Sequence, residues 1–105
     1  RGPMSILNTV NKSPFERNSL ESCLKFANSG DPVLLFEDGV YAVLKGTSFE
    51  VQIKAALDNQ SIYVLGPDLK ARGFSEDRVI EGVKLVDYAG FVDLAAENDK
   101  VQAWL

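Results

Sequence analysis

Residues 31–42, D-P-V-L-L-F-E-D-G-V-Y-A, constrain the fold more than any other stretch of this chain. Val33, Leu34, Leu35 and Phe36 form an unbroken apolar run, the pattern of a strand covered on both faces. Pro32 marks its start, since a missing N–H is tolerated at a strand's first residue and not in its middle. Glu37-Asp38-Gly39 ends it with two carboxylates and a residue free to take positive φ. Val40, Tyr41, Val43 and Leu44 then follow in a helical rather than extended pattern. A buried strand, an acidic turn and a helix start make half of a βαβ unit. In open α/β sheets, ligands and partners meet the carboxyl ends of strands, so this turn is either a functional edge or a solvated turn.

Composition narrows the chemistry. With 105 residues the chain fits one small domain, and 46% hydrophobic content is enough for a real core. The formal charge of −4 argues against a surface built to neutralise nucleic-acid phosphates. Histidine is absent, which removes the commonest general base, the usual metal ligand and any Ser-His or Cys-His pair. One cysteine allows no internal disulfide and no Cys-rich metal site. No apolar run approaches a membrane span and no signal-peptide pattern is found, so a cytoplasmic setting is expected. Residues 1–3 read as an expression scar, and residues 4–105 as a single domain.

The remaining elements alternate. Residues 5–10 suit a strand. Ser13-Pro14-Phe15-Glu16 reads as a helix start, with Ser13 as cap, Pro14 at the first position and Glu16 completing a capping box. Leu20, Cys23, Leu24 and Ala27 then mark one helix face, which ends at Gly30. Gly46 closes the short helix after Tyr41. Residues 48–57 suggest a weaker helix with Val51 and Ala55 toward the sheet. Residues 61–65 are a third strand ended by a Gly66-Pro67-Asp68 turn, and residues 68–73 suit one or two helical turns. Residues 75–80 read as surface, 83–86 as a fourth strand, and 88–97 as a last helix. The spacing predicts an α/β three-layer sandwich with a small, mostly parallel sheet of four to five strands.

Cys23 is the one soft nucleophile. On an apolar helix stripe a free cysteine is commonly a small core residue. Reactivity would need a thiolate favoured by a helix N-terminus or nearby positive charge. Glu37, Asp38, Asp68 and Asp87 all end strands, but no calcium-loop spacing or phosphate-cradling glycine loop accompanies them. Lys70 and Arg72 stand beside Asp68 and read as a solvated helix face. The tail, V-Q-A-W-L, ends on Trp104-Leu105; it either docks on its own sheet or buries itself in another chain. The interface candidates are therefore Phe36, Glu37, Asp38 and Tyr41 of the acidic turn, with Trp104 and Leu105 of the tail.

Five blocks carry a family resemblance: L-N-T-V-N-K-S-P-F (7–15), L-L-F-E-D-G-V-Y-A (34–42), Y-V-L-G-P-D-L-K-A-R-G (63–73), V-D-Y-A-G-F-V-D-L (86–94) and the closing Q-A-W-L. In this order they resemble the DsrH/TusB family of sulfur-relay proteins. The resemblance implies the DsrEFH-like fold and a cytoplasmic heterohexamer with two copies each of this subunit and of DsrE-like and DsrF-like partners. Such a complex hands persulfide sulfur to a DsrC-like acceptor, with no cofactor, no direct nucleic acid contact and no membrane. The principal catalytic cysteine is expected on the DsrE-type partner. Some DsrH-type members carry a cysteine in the first helix, here Cys23, which makes the chain look more like DsrH than TusB. That implies oxidation of stored sulfur, with Cys23 as an auxiliary sulfur-handling thiol or persulfide carrier. The alternative is a TusB-like scaffold for 2-thiolation of a tRNA wobble uridine, with no chemistry of its own.

Overall fold

The computed structural model describes residues 5–105. The expected scar at residues 1–3 and the domain start at residue 4 lie outside the described residues. Five strands, β1 (Ile6–Val10), β2 (Val33–Leu35), β3 (Ile62–Leu65), β4 (Lys84–Val86) and β5 (Lys100–Trp104), form one sheet in the order β4-β3-β2-β1-β5. Every pairing is parallel. The tail therefore docks on its own sheet: β5 runs beside β1 with Val10 opposite Trp104.

Strand periodicity divides the side chains between two layers. Val10, Val33, Leu35, Ile62 and Val64 point into the larger core, closed by α1 (Ser19–Phe26), the 3₁₀ helix Glu37–Val43, α2 (Glu50–Ala56) and α3 (Gly66–Ala71). Leu7, Leu34, Tyr63 and Val86 point to the other face, where α4 (Tyr88–Glu97) lays Phe91, Leu94 and Ala95 on them. Each fully buried Leu or Ile in these layers contributes roughly 1.5–3 kcal/mol. Helices on both faces of the sheet complete the three layers.

Several local expectations are corrected. The capping box does not form. Ser13 accepts the backbone N–H of Phe15 and of Glu16 and Arg17 in a separate turn, and α1 starts only at Ser19. Pro14, already buried, holds that turn against the protein rather than launching the helix. Val51 and Ala55 face solvent, and Ile53 and Ala56 do the packing, because α2 is only two turns long and can bury one narrow stripe. Gly66-Pro67-Asp68 is no turn: α3 begins directly at Gly66, with Pro67 tolerated in the first turn, where no N–H is needed. The short helix expected after the acidic turn is a 3₁₀ helix, Glu37–Val43, that begins within that turn and stops before Leu44, which is extended and bridges to Val79. Val79 and Ile80 are buried rather than superficial, since Ile80 N–H bonds to the Val43 carbonyl and draws the segment in.

One contact fixes how β2 leaves the sheet. Phe36 N–H donates to the Val10 carbonyl at 3.1 Å, and Gly39 lies against the same oxygen. A Cβ at position 39 would stand 2.3 Å from that oxygen. Gly39→Ala is expected to lower stability by on the order of 3 kcal/mol, because backbone must move to admit a methyl. Urea unfolding with an unchanged midpoint would refute this.

Candidate functional site

The acidic turn is built by three strand ends. Phe36 is extended and half-buried, its ring 5.8 Å from that of Phe91. Glu37 then adopts φ +49, a left-handed conformation that costs a non-glycine residue about 1 kcal/mol. Two neighbours hold it there. The Glu37 N–H donates to Asp68 Oδ2 at 2.7 Å, and Asn11 Nδ2 donates to Glu37 Oε1 at 2.9 Å. Asp38 is fixed by Arg72, whose Nε and Nη2 donate to Asp38 Oδ1 at 3.1 and 3.0 Å. Arg72 Nη1 also donates to the Asp68 carbonyl at 3.2 Å. The carboxyl ends of β1, β2 and β3 are thereby tied into one polar lattice.

Most of the interface candidates collect at this edge. Glu37 and Asp38 are exposed; Tyr41 is half-buried with its ring edge-on to Phe74 at 5.7 Å. The register of β5 brings Trp104 and Leu105 to the same end of the sheet. Trp104 is turned inward, its Nε1–H donating to Asn8 Oδ1 at 3.1 Å, whereas Leu105 is 82% exposed. The sequence offered no sign that Asp68 and Asn11 clamp Glu37. An Asp three residues into a helix that follows a strand was the available signal, and it reads equally as a first-turn acid. Asp87 spends its carboxylate capping α4, accepting from Gly90 N–H at 2.8 Å. No group of three or more metal-ligating side chains occurs among the described residues.

Cys23 stands apart from this edge. It is the fifth residue of α1, a shorter helix than the sequence suggests, yet it is 0% exposed among Val10, Leu20 and Val33. Burial pushes its thiol from 9.0 up to about 12. At pH 7 about one molecule in 10⁵ would carry the thiolate. Beside it, α1 and α2 leave an open groove of about 590 Å³, lined in part by Leu24, Ala27, Ala56 and Gln60.

Two measurements test this geometry. Asp68→Ala leaves the Glu37 N–H without its carboxylate and is expected to cost about 1–2 kcal/mol in chemical unfolding; no change would mean that the clamp is idle. For Cys23 the folded value lies above the unfolded one, so the buried neutral thiol's contribution is complete below pH 9 and is lost as pH rises toward 12. A thiol reagent at pH 8 is expected to modify the protein only after denaturant is added. Modification of the native chain at the rate of a free thiol would contradict the burial.

The comparisons agree with one another. A family model described as DsrH like protein matches residues 12–101. Protein TusB of Erwinia tasmaniensis is 38% identical over 100 residues, covering 94% of this chain and all of the relative. Protein TusB of Pectobacterium parmentieri is 35% identical over 99 residues with the same coverage. The crystal structure of the ychN protein from E. coli superposes with a TM-score of 0.80 at 20% identity, over 96% of this chain and 99% of that one, a likeness of fold. A chain whose sequence matches whole relatives end to end, on the all-parallel fold described above, belongs to the DsrH/TusB family.

Proposed function

We propose that this chain is a non-catalytic subunit of a cytoplasmic persulfide relay, of the TusB kind, serving 2-thiolation of a tRNA wobble uridine. The observation that carries this reading is the burial of Cys23, the one cysteine of the sequence. Thiol–persulfide exchange runs through a thiolate that can reach its partner. A thiol with no exposure and a value near 12 meets neither condition. The full-length matches to proteins named TusB support the same assignment. In this reading the sulfur-carrying cysteine belongs to a TusD-like (DsrE-like) partner. A TusC-like (DsrF-like) chain completes a heterohexamer with two copies of each subunit, and a small acceptor protein takes the sulfur. The carboxyl edge, with Phe36, Glu37, Asp38, Tyr41, Trp104 and Leu105, faces a partner, and Arg72 and Asp68 hold that edge rigid.

The competing reading places the chain in a DsrH-type complex that oxidises stored sulfur, with Cys23 as an auxiliary carrier. Its support is the presence of a cysteine, Cys23, in the first helix, as the fifth of its eight residues. The two readings part on one substitution. In the co-expressed complex, Cys23→Ser is expected to leave sulfur transfer to the acceptor within twofold of the parent. Intact mass after a persulfide donor is expected to show added sulfur on a partner and none on this chain. Sulfur on this chain that vanishes in Cys23→Ser would overturn the scaffold reading.

A further inference from the structure

A helix that lies on a sheet needs an apolar stripe a little over 100° wide, with polar residues around the rest. α4, Y-A-G-F-V-D-L-A-A-E, does not have that pattern. At 100° per residue its sheet-facing residues, Phe91, Leu94 and Ala95, span about a quarter of the circumference. Tyr88, Ala89, Val92 and Ala96 carry the apolar surface well beyond them, and charge is confined to the strip holding Asp93 and Glu97. Tyr88 is 61% and Val92 66% exposed, so half of an almost wholly apolar helix is presented to solvent.

The sheet beneath has the same deficit. A purely parallel sheet is ordinarily covered on both faces. One helix about 10 Å across cannot cover five strands spaced about 4.8 Å apart. It covers Leu7, Leu34, Tyr63 and Val86, and leaves β5 bare. Val101 pairs with Leu7 and Ala103 with Thr9, so both point to this face, and both are exposed.

The charge pattern says what kind of surface would cover it. Asp93 and Glu97 are exposed and meet no cation among the described residues, where the ion pairs are Lys54–Glu50 and Arg72–Asp38. Among the described residues the one cation on this face of the sheet, Lys84, lies over the Tyr63 ring at 5.6 Å. A second copy would add its own −4 charge and bring carboxylates toward carboxylates. The geometry points to α4 and the outward row of β5 as the docking surface for a different chain, one presenting an apolar face rimmed by lysine or arginine. Resting on the relay-subunit reading above, that chain is one of the related α/β subunits, and this face is a second contact, distinct from the carboxyl edge.

The test is co-expression of this chain with its two partner subunits, read by size exclusion and by circular dichroism of each isolated variant. Val92→Glu places a charge at an exposed position and is expected to retain the parent spectrum while falling out of the complex. The double reversal Asp93→Lys with Glu97→Lys is expected to weaken assembly at least tenfold, and raised salt is expected to weaken the parent complex. Full assembly of Val92→Glu, or of the charge reversal, would overturn the proposal while leaving the relay reading intact. A parent chain that forms a dimer with itself, broken by Val92→Glu, would overturn it in favour of a second copy. A parent chain that ignores both partners would overturn the relay reading and this proposal with it.

Discussion

The close approach of Gly39 to the Val10 carbonyl is the constraint on which the candidate site depends. Without a side chain at position 39, the chain leaving β2 can fold straight back over the end of β1. That return forces Glu37 into its left-handed conformation, and the strain has to be offset nearby. The Asp68 carboxylate and the Asn11 amide supply the offset. Asp68 is in place because α3 starts without a connecting loop at Gly66. A missing Cβ on one strand connection thus fixes where a carboxylate on the next must sit.

The second organising fact is the return of the chain from β4 across the whole sheet to β5. Four strands laid down in sequence put α1, α2 and α3 on one face. Among the described residues, the single crossing helix α4 is then the only element available for the other face. The two faces are unequal for topological reasons, before any side chain is chosen. The sequence of α4 then fits a helix covered on two sides, which is what a second layer supplied by another chain would provide.

The first four strands and their order of alternation were legible because short runs rich in apolar residues, bounded by Gly, Pro and carboxylates, have few other readings. The fifth was not, since K-V-Q-A-W lacks such a run and read only as a tail that docks on its own sheet or in another chain. The last helix was legible to the residue, since Asp87 caps it and Asn98 ends it. The start of α1 was not. Ser13-Pro14-Phe15-Glu16 carries every local mark of a helix start, and a buried Pro14 with the Ser13 turn used those marks for a different structure. The choice between Val51 and Ile53 as the buried position of α2 was equally hidden, because a seven-residue helix shows too little periodicity to orient itself. At the site, Glu37 and Asp38 were visible as a strand end, but the Asp68 and Arg72 clamps join residues about thirty positions apart. Long-range polar pairing leaves no periodic trace.

Whether the lone thiol could serve by transient opening is a question of magnitudes. Freeing Cys23 means lifting α1 from the core, exposing Leu20, Cys23 and part of Leu24. At roughly 1.5–3 kcal/mol per large side chain, the opening costs on the order of 5 kcal/mol. That leaves on the order of one molecule in several thousand open at a given moment. In the open form the thiol recovers its ordinary value of 9.0, so about one in a hundred of those would be ionised at pH 7. The product is no larger than the thiolate population of the closed form, which has no access to a donor. Chemistry at Cys23 would therefore require a partner that binds the open form better than the closed one by most of that cost.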